Sequence, residues 1–202
     1  MGVKSRDQGF EVRLRDGSRA RIRPVRPEDK MRIQCGMKLL SAESRFLRFF
    51  NGSAELSSDL LQYLTEVDQQ NHVAWMAVNP ALPGEPGLGI ARFVRAPDET
   101  DSAEIALTVI DKFQGLGLGA ALLNILLVRA EQLNIRTLRA LVLPDNYRVI
   151  RWMRRLGATS AYKDGLVELN LSVNLAVEGN HVPELEPAIG KTNHMPALAV
   201  DG

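Results

Sequence analysis

Between Ala103 and Leu127 the chain reads AEIALTV, then IDKF, then QGLGLG, then AALLNILL. That is a β-branched and aliphatic run, a short polar break, a glycine-rich turn and an apolar helix. The rest of the chain is organised around this unit. A strand feeding a helix through glycines leaves the first amides of the helix without partners, and the helix dipole adds about half a positive charge there. Such an end favours an anion, here a phosphate or pyrophosphate.

Spacing narrows the kind of loop. The dinucleotide fingerprint G-x-G-x-x-G fails, because counting from Gly117 and Gly119 its third glycine falls on Leu122. A P-loop fails too: the one G-K-T, at Gly190-Lys191-Thr192, has Leu185 where the upstream glycine is required. What remains is Q-x-x-G-x-G, as Gln114, Gly117 and Gly119, directly after a strand. On this short pattern alone, a plain glycine turn between strand and helix is the competing reading.

Composition excludes several classes. At 202 residues, with 45% hydrophobic and 24% charged residues, the chain is one ordinary globular domain with tails. A net charge of +1 argues against a nucleic-acid binder. Residues 1–30 hold nine Lys/Arg against five Asp/Glu, but the arginines alternate along predicted strands, which predicts a solvated sheet face. Cys35 is the only cysteine, so neither an intramolecular disulfide nor a cysteine zinc site is available. It sits in an apolar helical pattern and is expected to pack in the core. His72, His181 and His194 do not cluster, and no metal is predicted. No apolar run of 18 residues and no h-region occur, so no membrane partner is expected and the expected compartment is the cytoplasm.

Residues 1–9 read as a flexible N-terminus. Phe10–Arg15 and Ser18–Arg23 alternate around Asp16-Gly17, which predicts a hairpin with both central residues of a type I′ turn at positive φ. Pro27, Glu28 and Asp29 open a helix to about Leu40, with Met31, Cys35 and Leu39 at helical spacing. Ser41 caps a short helix through Phe50; Ser57 or Ser58 caps another, striped by Leu60, Leu61 and Leu64. Strands are predicted at 72–78, 88–95, 103–109 and 137–143, with a proline- and glycine-rich loop at 79–87. The helix after the glycine loop continues to about Asn134. A second runs over 146–156, with Val149, Ile150, Met153 and Leu156 on one face and Gly157 as C-cap. A closing hairpin turns at Lys163-Asp164-Gly165. Residues 176–202 lack periodicity and read as a loose or disordered tail, leaving 10–175 as the domain. The class is α+β.

The Gln114–Gly119 loop resembles the acyl-CoA pyrophosphate loop of the GNAT N-acetyltransferase superfamily. A second match is Val142-Leu143-Pro144-Asp145-Asn146, followed by a basic-apolar helix ending in Arg154-Arg155-Leu156-Gly157-Ala158. Asn146 matches an asparagine that contacts CoA there, and Gly157 matches half of a closing Gly-Phe. The tyrosine that many members use to protonate the departing thiolate is Met153 here, and Tyr147 lies too near the strand for that role. The closer resemblance is to the GNAT domains of bacterial protein lysine acetyltransferases. It is carried by Leu14–Gly17, Ile22–Asp29, Leu40–Ser44, Arg48–Phe50, Asp101–Ala106 and Gln114–Gly119. It covers roughly residues 10–172, so the acyl-CoA synthetase-like or cyclic-nucleotide-binding domain to which such domains are often fused is not expected within these 202 residues.

The resemblance implies a GNAT-like, mixed, mostly antiparallel sheet flanked by helices, with acetyl-CoA as acyl donor. An amine attacks the thioester directly. A lysine amine, with a pKa of ~10.4, must first lose a proton. Glu104 matches the glutamate that accepts it, and its neighbours Ala103, Ile105 and Ala106 predict a partly desolvated carboxylate with a raised pKa. A surface glutamate is the alternative. Leu107 and Val109 match backbone that pairs with the pantetheine arm and polarises the thioester carbonyl. Gln114, Gly115, Leu116, Gly117, Leu118 and Gly119 would hold the pyrophosphate, and Asn146 the CoA moiety. The leading expectation is acetylation of a protein lysine, an acyl-CoA synthetase-type enzyme being one candidate acceptor. A small-amine acetyltransferase and a non-catalytic acyl-CoA sensor, favoured by Met153, are the alternatives. Arg45, Arg48 and the 79–87 loop are candidates for the acceptor side.

Overall fold

The computed structural model describes residues 9–49, 54–96, 98, 100–174 and the backbone of 186–187. Among these, nine strands form one sheet in the order β7-β8-β6-β5-β4-β3-β2-β1-β9. The strands are β1 (Phe10–Arg13), β2 (Arg19–Pro24), β3 (His72–Val78), β4 (Gly87–Arg95), β5 (Ser102–Val109), β6 (Thr137–Val142), β7 (Thr159–Lys163), β8 (Leu166–Ser172) and the two-residue β9 (Glu186–Pro187). The helices are α1 (Lys30–Leu39), α2 (Ala42–Phe49), α3 (Ser58–Thr65), α4 (Leu118–Gln132) and α5 (Tyr147–Arg155). Every strand pair is antiparallel except β5 with β6. The expected α+β architecture is therefore present. The expectations for residues 1–8 and for most of 176–202 fall outside the described residues; Glu186–Pro187 pair with β1. No helix among the described residues is long and apolar enough to cross a membrane.

Two helical layers sandwich the sheet. The α4–α5 face holds the larger core, with Ile22, Trp75, Phe93, Ile105, Leu122, Leu126, Leu138 and Leu169. The smaller core under α1 and α3 joins Val25, Ile33 and Leu64 to Ala74, Met76 and Val78. Covering on both faces explains β3, which is buried along nearly its whole length and reads HVAWMAV without polar alternation. α4, apolar on most of its circumference, packs on β3, β4 and β5 with most of its residues buried. Each fully buried Leu, Ile or Phe contributes about 1.5–3 kcal/mol.

The structure corrects three local expectations. The β1–β2 hairpin has only Gly17 at positive φ (+84°), with Gly17 N donating to Leu14 O at 2.9 Å and Leu14 N to Ser18 O at 2.8 Å. That is a three-residue turn with one left-handed glycine, not type I′. The two-residue turn with both positions at positive φ is found in the β7–β8 hairpin, at Asp164 (+50°) and Gly165 (+81°). Second, Met31 and Leu39 are 70% and 58% exposed, and Cys35 is exposed rather than packed. The buried face of α1 is Ile33 and Met37. Two residues along a helix is a turn of about 200°, so a stripe starting at Ile33 lies opposite one starting at Met31. Third, Arg23 is not on a solvated face. It is buried and holds Asp29 through two bonds of 2.7 Å. Asp29 also accepts from Arg26 N at 2.9 Å and from Arg32 Nη1 at 3.0 Å. This pin at the start of α1 fixes which face turns inward.

Candidate active site

β5 is where the sheet opens. Its parallel pairing with β6 covers only Ser102–Thr137, Ala103–Leu138 and Glu104–Arg139. β5 then runs on to Val109 laddered to β4, while β6 runs on to Val142 laddered to β8. Ile110 N donates to Leu88 O at 3.0 Å, so the even-numbered backbone groups of this stretch face β4. By alternation, Leu107 and Val109 turn theirs into the gap. Such an edge is a template for an amide-bearing chain to add as another strand.

The N-terminus of α4 stands at the mouth of this gap. Gly117, at φ +95°, is its N-cap, and a β-carbon there would meet no protein atom within 4 Å. The left-handed conformation calls for glycine, and the space above it is open. Ala121 N returns to Gly117 O at 3.1 Å, which leaves the amides of Leu118, Gly119 and Ala120 without acceptors inside the helix. The Leu118 side chain is buried in the core, so only its backbone serves the loop. Gly115 O and Leu116 O turn away, accepting from Arg15 Nη1 (3.3 Å) and Arg15 N (3.0 Å) of the β1–β2 turn. Arg148, in the first turn of α5, donates to Gln114 Oε1 at 3.0 Å. Two guanidinium groups thus bond the loop that leads into this helix N-terminus and add positive charge near it, which suits a pyrophosphate.

Gln114 does more than its place in the motif implies. Its Nε2 donates to Val109 O (3.1 Å) and to Ser44 Oγ (3.2 Å), so one side chain ties β5, α2 and α5 together. Asp111 adds to the same tie, accepting from Ser41 N (2.9 Å), Ser41 Oγ (2.7 Å) and Ser44 Oγ (2.8 Å). Burial pushes the Asp111 pKa up, but these hydrogen bonds outweigh it and hold the carboxyl below its ordinary value. Asn146 is the N-cap of α5, its Oδ1 accepting from Val149 N at 3.3 Å. Met153 is 2% exposed and packs in the main core.

The opposite face of β4 and β5 carries a cleft under α1, α2 and α3. Arg48, Phe49, Arg92 and Thr108 line it, with Ile33, Met37, Leu64, Met76 and Ile90 as apolar wall. Register places Val94 opposite Glu104 and Arg92 opposite Ala106, so Glu104, Arg92 and Thr108 share this face. Glu104 is exposed, which corrects the expected desolvation: it stands beyond the residues that line the cleft. The charge of Glu104 reaches Arg48, whose guanidinium it stabilises. Of the other acceptor-side candidates, Arg45 donates to Leu40 O, and Gly84 O and Glu85 O of the 79–87 loop accept from Arg32. The His72 ring packs tilted against Tyr63, with centroids 4.8 Å apart, and accepts a bond from Arg92, a structural role. Sequence reasoning missed Arg15, Ser44, Arg92, Asp111 and Arg148. Arg15 and Ser44 lie in stretches that carry the resemblance, Asp111 in the polar break and Arg148 at the start of the basic helix; Arg92 carried no such signal.

Residues 19–159 match the family model of the acetyltransferase (GNAT) domain. The chain belongs to this family, whose acetyltransferases use acetyl-CoA. It is similar to the acetyltransferase Pat of Mycolicibacterium smegmatis, with 36% identity over 163 residues, 80% of this chain and 48% of that protein. The chain thus spans about half the length of that relative. The GNAT domain of S. lividans PAT superposes with a TM-score of 0.73 at 31% identity, covering 80% of this chain and 95% of that one. Spermidine N-acetyltransferase from Vibrio cholerae, solved with CoA and spermine, shares the fold at 14% identity and a TM-score of 0.61, covering 78% of this chain and 98% of that one.

Proposed function

We propose that the protein transfers the acetyl group of acetyl-CoA to a lysine ε-amine of a protein. The observation that carries the donor side is the opened β5 edge beside the α4 N-terminus. In this reading the pantetheine amides pair with the backbone of Leu107 and Val109. The amides of Gly117 to Gly119 hold the pyrophosphate, with Arg15 and Arg148 at its flanks, and Asn146 borders the same end of the gap. An N–H facing the gap polarises the thioester carbonyl. The amine nitrogen attacks that carbon; the C–N bond forms and the C–S bond breaks. Glu104 takes the ammonium proton. It lies three residues before Leu107, about 10 Å along the strand, so the proton passes through water. Met153 offers no proton to the leaving thiolate; the second proton lost by the attacking nitrogen passes to water, and the thiolate is protonated from solvent. Protein lysine is favoured as acceptor by the motif resemblance to protein lysine acetyltransferase domains and by the similarity to Pat.

The test is transfer from labelled acetyl-CoA into a cell extract, with wild-type protein and Glu104→Gln side by side. Label in discrete protein bands with wild type, reduced about 10²–10⁴-fold in the variant at unchanged acetyl-CoA affinity, is expected. Glu104-dependent label confined to small molecules would replace the protein acceptor by a small amine. Equal turnover of the two proteins would remove Glu104 from the mechanism.

A further inference from the structure

The cleft under α1, α2 and α3 is charged in one sense only. Arg92, 5% exposed, donates Nη1 to His72 Nε2 at 3.0 Å and Nη2 to Leu64 O at 3.3 Å. Both acceptors are neutral groups that aim the guanidinium without neutralising it. Arg48 lies over the Phe49 ring at 4.8 Å, and its Nε is buried with no hydrogen-bond partner. Neither arginine has a carboxylate within 4.0 Å among the described residues. Burial pushes the Arg92 pKa down to about 10, and the charge of Arg48 pushes the same way. Burial also holds Arg48 below its ordinary value, with Glu104 opposing it.

Two like charges beside an apolar wall, without a counter-ion, are costly to keep. Arg23 and Arg21 are handled differently: Arg23 meets Asp29, and Arg21 meets Glu11 and Glu85. The arrangement at Arg48 and Arg92 is completed when a ligand brings the anion.

Resting on the acetyl-transfer reading above, we propose that the acceptor carries a carboxylate close to its reactive amine, seated between Arg48 and Arg92 while the amine lies toward Glu104. Arg92 and Glu104 are diagonal neighbours on one sheet face, about 7–8 Å apart at the backbone, a spacing that an amine and a nearby carboxylate can span. On a protein, the carboxylate is an acidic side chain beside the target lysine. On a small acceptor, it is the carboxylate of an amino acid. Thr108 lines the same cleft and offers a hydroxyl.

The test compares two blocked pentapeptides, a central lysine flanked by glutamates or by glutamines, as acceptors from labelled acetyl-CoA. The glutamate peptide is expected to show kcat/KM higher by about ten- to hundredfold, mainly through KM. Arg48→Gln should abolish this preference at unchanged acetyl-CoA affinity, and Arg48→Lys should restore part of it. Free lysine against lysinamide identifies the source: a preference there and not among peptides supports a small carboxylated acceptor. Equal rates within both pairs overturn the inference and leave acetyl transfer standing. A second readout needs no turnover. Succinate should shift the Arg48 Nε–H resonance in nitrogen-15 spectra, and neutral succinamide should not. If no amine is acetylated, the proposed function falls, yet a succinate-specific shift still supports the anion seat; no shift overturns it.

Discussion

At the scale of single residues, the candidate site was readable where a backbone requirement shows in residue type. Gly117 is the clearest case, because a left-handed N-cap with open space above it calls for glycine. Gly117→Val should weaken acetyl-CoA binding at least about tenfold and cost about 1–2 kcal/mol of stability from the positive φ. Isothermal titration and thermal unfolding separate the two effects; unaltered affinity would remove the loop from the site. Glu104 was readable as a position but not as an environment, since its exposure depends on where α2 and the cleft wall end. Gln114 was read as a phosphate-loop residue, and its bonds to Ser44 and Arg148 depend on elements 70 and 34 residues away. His72 gives a pH prediction. Burial, then the Arg92 charge, lowers its pKa to about 4. Between pH 6.5 and about 4 the unfolded chain binds a proton that the native one does not, so stability falls as pH falls through that window. The loss should be about 1–3 kcal/mol, by chemical denaturation at each pH, and His72→Gln should flatten it.

Among the elements, local patterning fixed existence and ends well. Ser57 and Asn146 cap α3 and α5 through Leu60 N and Val149 N, as their residue types and spacing suggest. The orientation of α1 was not legible, because it is set by the Arg23–Asp29 pair joining β2 to the helix start. Met31, Cys35 and Leu39 have the right spacing but the wrong phase. Burial of Asp29 opposes ionisation, but the bonds from Arg23 and Arg26 outweigh it, so its carboxyl sits below the ordinary value. Its contribution is present at neutral pH and is lost only as pH drops below about 4, acidic of the His72 window. Asp29→Ala should destabilise the domain by about 3–5 kcal/mol, because it leaves Arg23 buried and unpaired. Replacing both with well-packed apolar residues should recover most of that loss. Urea denaturation of the single and double variants checks both.

For the molecule as a whole, the strand and helix order was nearly complete in the sequence, since turns and periodicity are local. The splay between β5 and β6 was not. It arises because β6 prefers β8 along its full length and meets β5 over three residues, a long-range competition that no window of sequence displays. The cleft on the other face depends likewise on three helices meeting β4 and β5. The central claim is that the splay and the α4 N-terminus together receive acetyl-CoA. Amide hydrogen exchange with and without acetyl-CoA tests it most directly. The account predicts protection of Leu107, Val109, Leu118 and Gly119, with little change in β1 and β2. Acetyl-CoA binding that protects none of these four amides would contradict it.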